Sequence, residues 1–177
     1  MNFPNFLTLL RIALAPVFLA LLLQSPAEYP NILAFVFPIF AAAALTDAFD
    51  GFLARKWKQE TELGIFLDPV ADKVLILFGF LGILLTAQPV FKLPVWFQIL
   101  VLFRELVIII GVMTLFFFTG KIHSLPNKLG KLTTVTQILL IGSCILNWAG
   151  TANFSYAVAF LTAASCVVYT VQGMAKF

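Results

Sequence analysis

Six apolar stretches of about twenty residues, separated by short connections, occupy about two thirds of this chain. They run over roughly 6–24, 31–49, 67–87, 94–118, 132–149 and 153–172, each near the length an α-helix needs to cross a bilayer core of about 30 Å. The connections carry the helix breakers: Ser25-Pro26 and Tyr29-Pro30, then Gln88-Pro89 and Leu93-Pro94, then Ala149-Gly150. Only 11% of residues are charged and 62% are hydrophobic, against about 25% and roughly 45–50% in ordinary globular domains. So few charges cannot cover a water-facing surface, and lipid is the expected solvent. The fold expected is an all-α integral membrane protein: one domain over 1–177, with six transmembrane helices. An alternative for residues 1–11 is an interfacial helix leading into a shorter first span, because Asn5, Thr8 and Arg11 interrupt the apolarity there. The N-terminus has no basic stretch before its apolar run and reads as retained structure rather than a signal peptide. Hydrophobicity excludes disorder, two cysteines exclude a disulfide scaffold, and a net charge of +3 without a basic stripe argues against a nucleic-acid partner.

With six spans both termini share one side. The connections and tail on that side hold Arg55, Lys56, Lys58, Lys121, Lys128, Lys131 and Lys176, whereas the other side holds only Lys92. Positive charge marks the cytoplasmic face, so the termini and the 55–66 and 119–131 connections are expected there. Arg11, Lys73 and Arg104 fall within or beside spans and need another explanation.

Four of the eight acids, Asp47, Asp50, Asp68 and Asp72, stand at the ends of the second and third stretches. At about 100° per residue, Asp47, Asp50 and Ala54 fall within about 60° of one another, and Gly64, Asp68 and Asp72 within about 80°. Consecutive helices with a short connection are antiparallel neighbours, so the two acidic faces can converge near the inner membrane surface. Four carboxylates in a partly dehydrated place repel unless cations compensate them. Oxygen-only ligands suit Mg²⁺ or Mn²⁺, and four aspartates suit two ions that clamp the attacking and leaving oxygens of a phosphoryl transfer. Gly51 and Ala54 leave room for a substrate against the backbone, and Arg55 places a cation beside it for phosphate oxygens. The plain alternative, acids that merely pair with Arg55, Lys73 and Arg104, does not account for four aspartates at regular helical spacing.

The order Asp47-x2-Asp50-Gly51-x2-Ala54-Arg55-x8-Gly64-x3-Asp68-x3-Asp72 resembles the signature of the CDP-alcohol phosphatidyltransferases, with eight specified positions filled in a 26-residue window. Asn5 through Arg11 looks like the N-terminal element of that family. Asp68-Pro69-Val70-Ala71-Asp72-Lys73 looks like its bacterial phosphatidylglycerolphosphate synthase and cardiolipin synthase branches, and Arg104-Glu105 and Gly130-Lys131-Leu132-Thr133-Thr134 look like later elements. The resemblance implies a six-helix enzyme of the bacterial inner membrane, a homodimer with its site open to the cytoplasmic leaflet, that transfers the phosphatidyl group of CDP-diacylglycerol to an alcohol and releases CMP. It also implies that Asp47, Asp50, Asp68 and Asp72 hold two divalent cations and that Asp72 is the base for the acceptor hydroxyl. Gly51, Ala54, Arg55 and Gly64 would contact the CDP moiety, with Thr8 a further candidate.

The acceptor is less sharply written. Glycerol 3-phosphate is a dianion, for which Arg104, Lys121, Lys128 and Lys131 could supply a cationic pocket. Two cations usual in the glycerol-3-phosphate enzymes are absent: an arginine one or two turns after Arg104-Glu105, where the chain runs apolar from Leu106 to Met113, and a second lysine at the position of Thr133. Glycerol 3-phosphate is the favoured acceptor, and phosphatidylglycerol, as in a cardiolipin synthase, is the runner-up.

Two other classes use intramembrane acids. A prenyltransferase would show two separated acidic motifs and more spans, and a divalent-cation transporter gives no reason for Gly51, Ala54, Arg55 and Gly64 at their offsets. His123 reads as a solvated loop residue, Cys144 and Cys166 as packing residues, and Trp57, Trp96 and Trp148 as interfacial anchors.

Overall fold

In a computed structural model the described chain is all-α, with six helices in the order α1 Phe3–Leu22, α2 Ile32–Trp57, α3 Glu62–Thr86, α4 Val95–Thr119, α5 Lys128–Ile145 and α6 Thr151–Met174. The structure describes residues 3–24, 31–57, 62–86, 93–119 and 128–174, with side-chain surroundings for 9–24, 31–46, 73–86, 93–114, 117 and 128–171. The helices fall into two compact units, Met1–Gln88 and Pro89–Phe177.

Each apolar stretch is a helix, but the ends move. α1 is one continuous helix from Phe3 to Leu22, with Asn5, Thr8 and Arg11 in its N-terminal half. α2 runs eight residues past the apolar limit at 49, and α3 begins five residues before the limit at 67. These extensions hold Asp50, Gly51, Ala54, Arg55 and Gly64 of the motif, while Asp47, Asp68 and Asp72 lie just inside the apolar stretches. Hydropathy does not mark the extensions because polar residues end an apolar window without ending a helix; Gly51 and Gly64 oppose the helix there, by about 1 kcal/mol each. At 1.5 Å per residue α2 is about 39 Å long, more than a bilayer core needs. Pro16 and Pro38 lie inside α1 and α2, a placement that neighbouring helices make tolerable in apolar surroundings.

In the first unit α1 packs against both α2 and α3. The seam is apolar: Ala15, Phe18 and Leu22 of α1, Val36, Phe40 and Ala43 of α2, and Leu75, Ile76, Phe80 and Ile83 of α3 are buried, with the Phe18 and Phe40 rings 5.3 Å apart. Gly82 permits the close approach of α3 to α1, since a Cβ there would come within 2.5 Å of Leu22 Cδ2. Thr86 Oγ1 also donates to the Leu22 carbonyl at 3.3 Å. The C-terminal ends of α1 and α3 therefore lie together and the two helices run parallel, with α2 returning between them in sequence.

The second unit inverts the usual distribution of polarity. Arg104, Glu105, Thr133, Gln137, Thr162 and Ser165 are buried, while Phe103, Ile110, Phe160 and Val167 are more than half exposed. An apolar solvent selects this pattern, because polar groups then gain by facing one another. Gln137 Nε2 donates to Thr162 Oγ1 at 3.3 Å, and Thr133 Oγ1 donates to the carbonyl of Leu129 at 2.8 Å, with the Leu161 carbonyl of α6 also 3.3 Å away. α5 and α6 form an antiparallel hairpin. Its turn is set by Asn147, in the left-handed region at φ 50°, which lets Trp148 N donate back to the Ser143 carbonyl at 2.9 Å. That is the helix-ending arrangement usually served by glycine. α4 runs parallel to α6, as the Trp96–Tyr156 ring contact at 6.3 Å and the Arg104–Ser165 bond farther along both show. By length and composition, Val95–Thr114 of α4 and Thr151–Val171 of α6 are each able to cross a membrane.

Candidate active site

The acidic motif occupies two helix ends joined by four residues. Asp47 and Asp50 stand ten and seven residues before the end of α2 at Trp57, and Asp68 and Asp72 stand six and ten residues after the start of α3 at Glu62. At 1.5 Å per residue, Asp50 and Asp68 are about 10 Å from their helix ends, and Asp47 and Asp72 about 15 Å. The chain between Trp57 and Glu62 spans at most about 18 Å. Along their helices the aspartates form two pairs, Asp50 with Asp68 and Asp47 with Asp72, at similar sequence distances from the connection. Gly51, Ala54 and Arg55 share the α2 segment, Gly64 the α3 segment, and Thr8 lies in α1 of the same unit. The side chains of Asp47, Asp50, Gly51, Ala54, Arg55, Gly64, Asp68, Asp72 and Thr8 lie outside the described ones, as does Lys121 entirely. Of the cations left unexplained by charge counting, Arg11 of α1 is buried, at 2% exposure.

The acceptor candidates belong to the second unit. Lys128 and Lys131 are exposed in the first turn of α5, while Gly130 between them is buried against Tyr169 of α6. Arg104 is 1% exposed and Glu105 is fully buried. Arg104 Nη1 donates to Glu105 Oε1, Nη2 donates to Ser165 Oγ at 3.0 Å, and the guanidinium carbon lies 5.7 Å from the centre of the Tyr169 ring. Its Nε–H, also buried, has no acceptor among the described residues. The orphan matters because a buried donor without a partner costs about 1–3 kcal/mol.

Sequence reasoning reached Arg104 and Glu105 but missed Ser165 and Tyr169. A signal was present, since Thr162, Ser165 and Tyr169 recur at helical spacing on α6. The departure at Thr133 has a packing basis in this chain: the residue is completely buried between α5 and α6, where a lysine would have to carry its charge into the seam.

The comparisons with known proteins agree with the motif. A family model described as CDP-alcohol phosphatidyltransferase matches residues 1–171. A Mycobacterium tuberculosis protein named "Probable phosphatidylglycerophosphate synthase" is 36% identical over 170 residues, covering 96% of this chain and 78% of its own. A Salmonella typhimurium protein named CDP-diacylglycerol--glycerol-3-phosphate 3-phosphatidyltransferase is 52% identical over 75 residues, 42% of this chain and 40% of that one. A Yersinia pestis protein of the same name is 51% identical over 76 residues, 43% of this chain and 40% of that one. With every fixed position of the aspartate motif filled and the family match running through all six helices, the chain belongs to the CDP-alcohol phosphatidyltransferase family.

Proposed function

We propose that the protein transfers the phosphatidyl group of CDP-diacylglycerol to glycerol 3-phosphate and releases CMP. The observation that carries this reading is the eight-position aspartate motif, placed near the end of α2 and the start of α3, together with the family match and relatives named for the same reaction. In it the acceptor hydroxyl oxygen attacks the phosphorus that bears the diacylglycerol ester, and the bond from that phosphorus to the CMP oxygen breaks. The hydroxyl proton passes to the Asp72 carboxylate, and CMP leaves as the phosphate anion. Arg55 holds phosphate oxygens of the CDP moiety, and Gly51, Ala54, Gly64 and Thr8 line its place.

The donor set suits hard divalent cations, because it offers four carboxylates and no thiol or imidazole within the 47–72 window. Asp47, Asp50, Asp68 and Asp72 would hold two Mg²⁺ or Mn²⁺ ions, whose chemistry is to neutralise the charge that develops on the leaving phosphate. Arg104, Lys121, Lys128 and Lys131 receive the acceptor phosphate; the exposed Lys128 and Lys131 meet it from water, and the orphaned Nε–H of Arg104 is a donor reserved for an anion.

The same reading makes the chain a single membrane domain of six spans, a homodimer in the bacterial inner membrane, with termini and motif at the cytoplasmic leaflet. The cation distribution supports that orientation. The buried hydroxyl of Thr133, in place of a further cation, favours as second reading an acceptor of lower charge, phosphatidylglycerol, and hence a cardiolipin synthase. One assay separates them. Purified protein is given CDP-diacylglycerol, Mn²⁺ and each alcohol in turn; CMP release with glycerol 3-phosphate and a phosphatidylglycerolphosphate product supports the first, release with phosphatidylglycerol alone supports the second, and release with no alcohol removes the transferase reading.

A further inference from the structure

Arg104 is held by α6 as much as by its own helix. An arginine side chain has many rotamers, and Glu105 on the same helix restrains only one corner of the guanidinium. Ser165 Oγ accepts from Nη2 at 3.0 Å, and the Tyr169 ring lies 5.7 Å from the guanidinium carbon. Three constraints on one planar group leave it little freedom. Gly130 seats the ring: a Cβ at that position would come within 2.6 Å of the Tyr169 hydroxyl and 2.8 Å of ring carbon Cε2. The missing side chain of α5 is thus the space in which the α6 aromatic stands. Among the described residues, what remains uncommitted is Nε–H, on a residue only 1% exposed.

We infer that Ser165 and Tyr169 are positioning residues that orient the Arg104 guanidinium toward an anionic acceptor, with Gly130 supplying the space for the ring. The inference rests on the reading of Arg104 as an acceptor contact. Ser165 removes one Nη from competition for the ligand, and the aromatic ring holds the cation electrostatically without offering a carboxylate that would neutralise it. The anion therefore meets a guanidinium of set orientation whose Nε–H is unspent. Glu105 limits the net charge of the pocket, so acceptor affinity depends on orientation more than on charge alone.

The test uses the full chain in lipid nanodiscs, with KM for glycerol 3-phosphate and KM for CDP-diacylglycerol measured separately. Tyr169→Leu is expected to raise the acceptor KM about fivefold, with kcat and the CDP-diacylglycerol KM within about twofold of the parent; Tyr169→Phe, which keeps the ring, is expected to restore it. Ser165→Ala and Gly130→Ala are expected to raise the same KM about threefold, the second by displacing the ring rather than removing it. Should Tyr169→Leu fail to fold, those two variants decide the matter. Arg104→Gln separates the two levels of the argument. A raised acceptor KM in Arg104→Gln with no change in the Tyr169, Ser165 and Gly130 variants overturns the positioning role and leaves the acceptor contact standing. An unchanged acceptor KM in Arg104→Gln, or no turnover of glycerol 3-phosphate by the parent, overturns the contact and the positioning role with it. Parallel losses in kcat and both KM values, unrescued by Tyr169→Phe, reduce α6 to packing and likewise overturn the inference.

Discussion

In Met1–Gln88 the motif acids stand near the end of α2 and the start of α3, at the borders of the apolar stretches, whereas in Pro89–Phe177 the pair Arg104–Glu105 is carried inside a helix and sealed there. The first unit has an almost wholly apolar seam of Phe, Leu, Ile and Ala, and its polar chemistry is kept at one end. The second threads polar groups through its interior, from Arg104 through Ser165 to Thr162 and Gln137. The difference teaches how a chain with few charges divides labour. On the proposed function, carboxylates that take metal ions from water belong at an interface, where their ionised form stays hydrated. A cation proposed to hold one anion gains from burial, because its hydrogen bonds and ring contact are stronger away from water.

The comparison is most easily broken at the acids. Asp72→Asn is expected to lower CMP release by about 10³-fold or more while leaving the thermal transition in detergent nearly unchanged, since the change removes a proton acceptor and keeps the side chain's size. Near-parent turnover would remove Asp72 as the base. Chelation should abolish turnover and added Mn²⁺ restore it.

The apolar seam of the first unit predicts a change of the opposite kind. Gly82→Val forces side-chain atoms into the space of Leu22 and should cost about 1–3 kcal/mol of stability, visible as a lowered thermal transition with the acceptor KM of the remaining folded protein unaltered. Lys131→Ala comes next, with an expected rise of about tenfold in acceptor KM, equal to about 1.4 kcal/mol, and little change for CDP-diacylglycerol; equal effects on both would place Lys131 outside the acceptor site. Smallest is Thr162→Val. It deletes the acceptor for Gln137 in the second unit at an expected cost of about 0.6 kcal/mol, the scale of hydrogen bonds between helices in lipid. A loss several times larger in unfolding measurements would make the polar seam the main support of that unit.

Much of the fold was legible because the hydropathy pattern is unambiguous: every expected apolar stretch corresponds to one helix. The acidic motif was legible as spacing on two helix faces, but how far those helices run was not. The apolar windows end at 49 and restart at 67, while the helices run on to Trp57 and back to Glu62. Backbone hydrogen bonding continues through Asp47–Arg55 because nothing there except Gly51 disfavours it. The α5–α6 turn shows a similar gap. Ala149-Gly150 drew attention as the breaker, yet Asn147 ends the helix, and an asparagine at positive φ is a weaker sequence signal than a glycine. Glu105 next to Arg104 was an obvious pair in the sequence. Ser165 and Tyr169, sixty-one and sixty-five positions away, were not.

By itself the sequence determined the solvent, the helical class and the chemistry available. In lipid the backbone must satisfy its own hydrogen bonds, so apolar stretches of this length become helices, and eight motif positions at family spacing name the reaction type. The tertiary structure alone decided which groups meet: Gly82 against Leu22, Gly130 beneath Tyr169, and Arg104 between Glu105, Ser165 and Tyr169. Between helices in an apolar medium the hydrophobic effect discriminates little. Pairing is then settled by where a missing side chain lets a neighbour in and where a buried donor finds an acceptor, and both depend on three-dimensional fit rather than on sequence period.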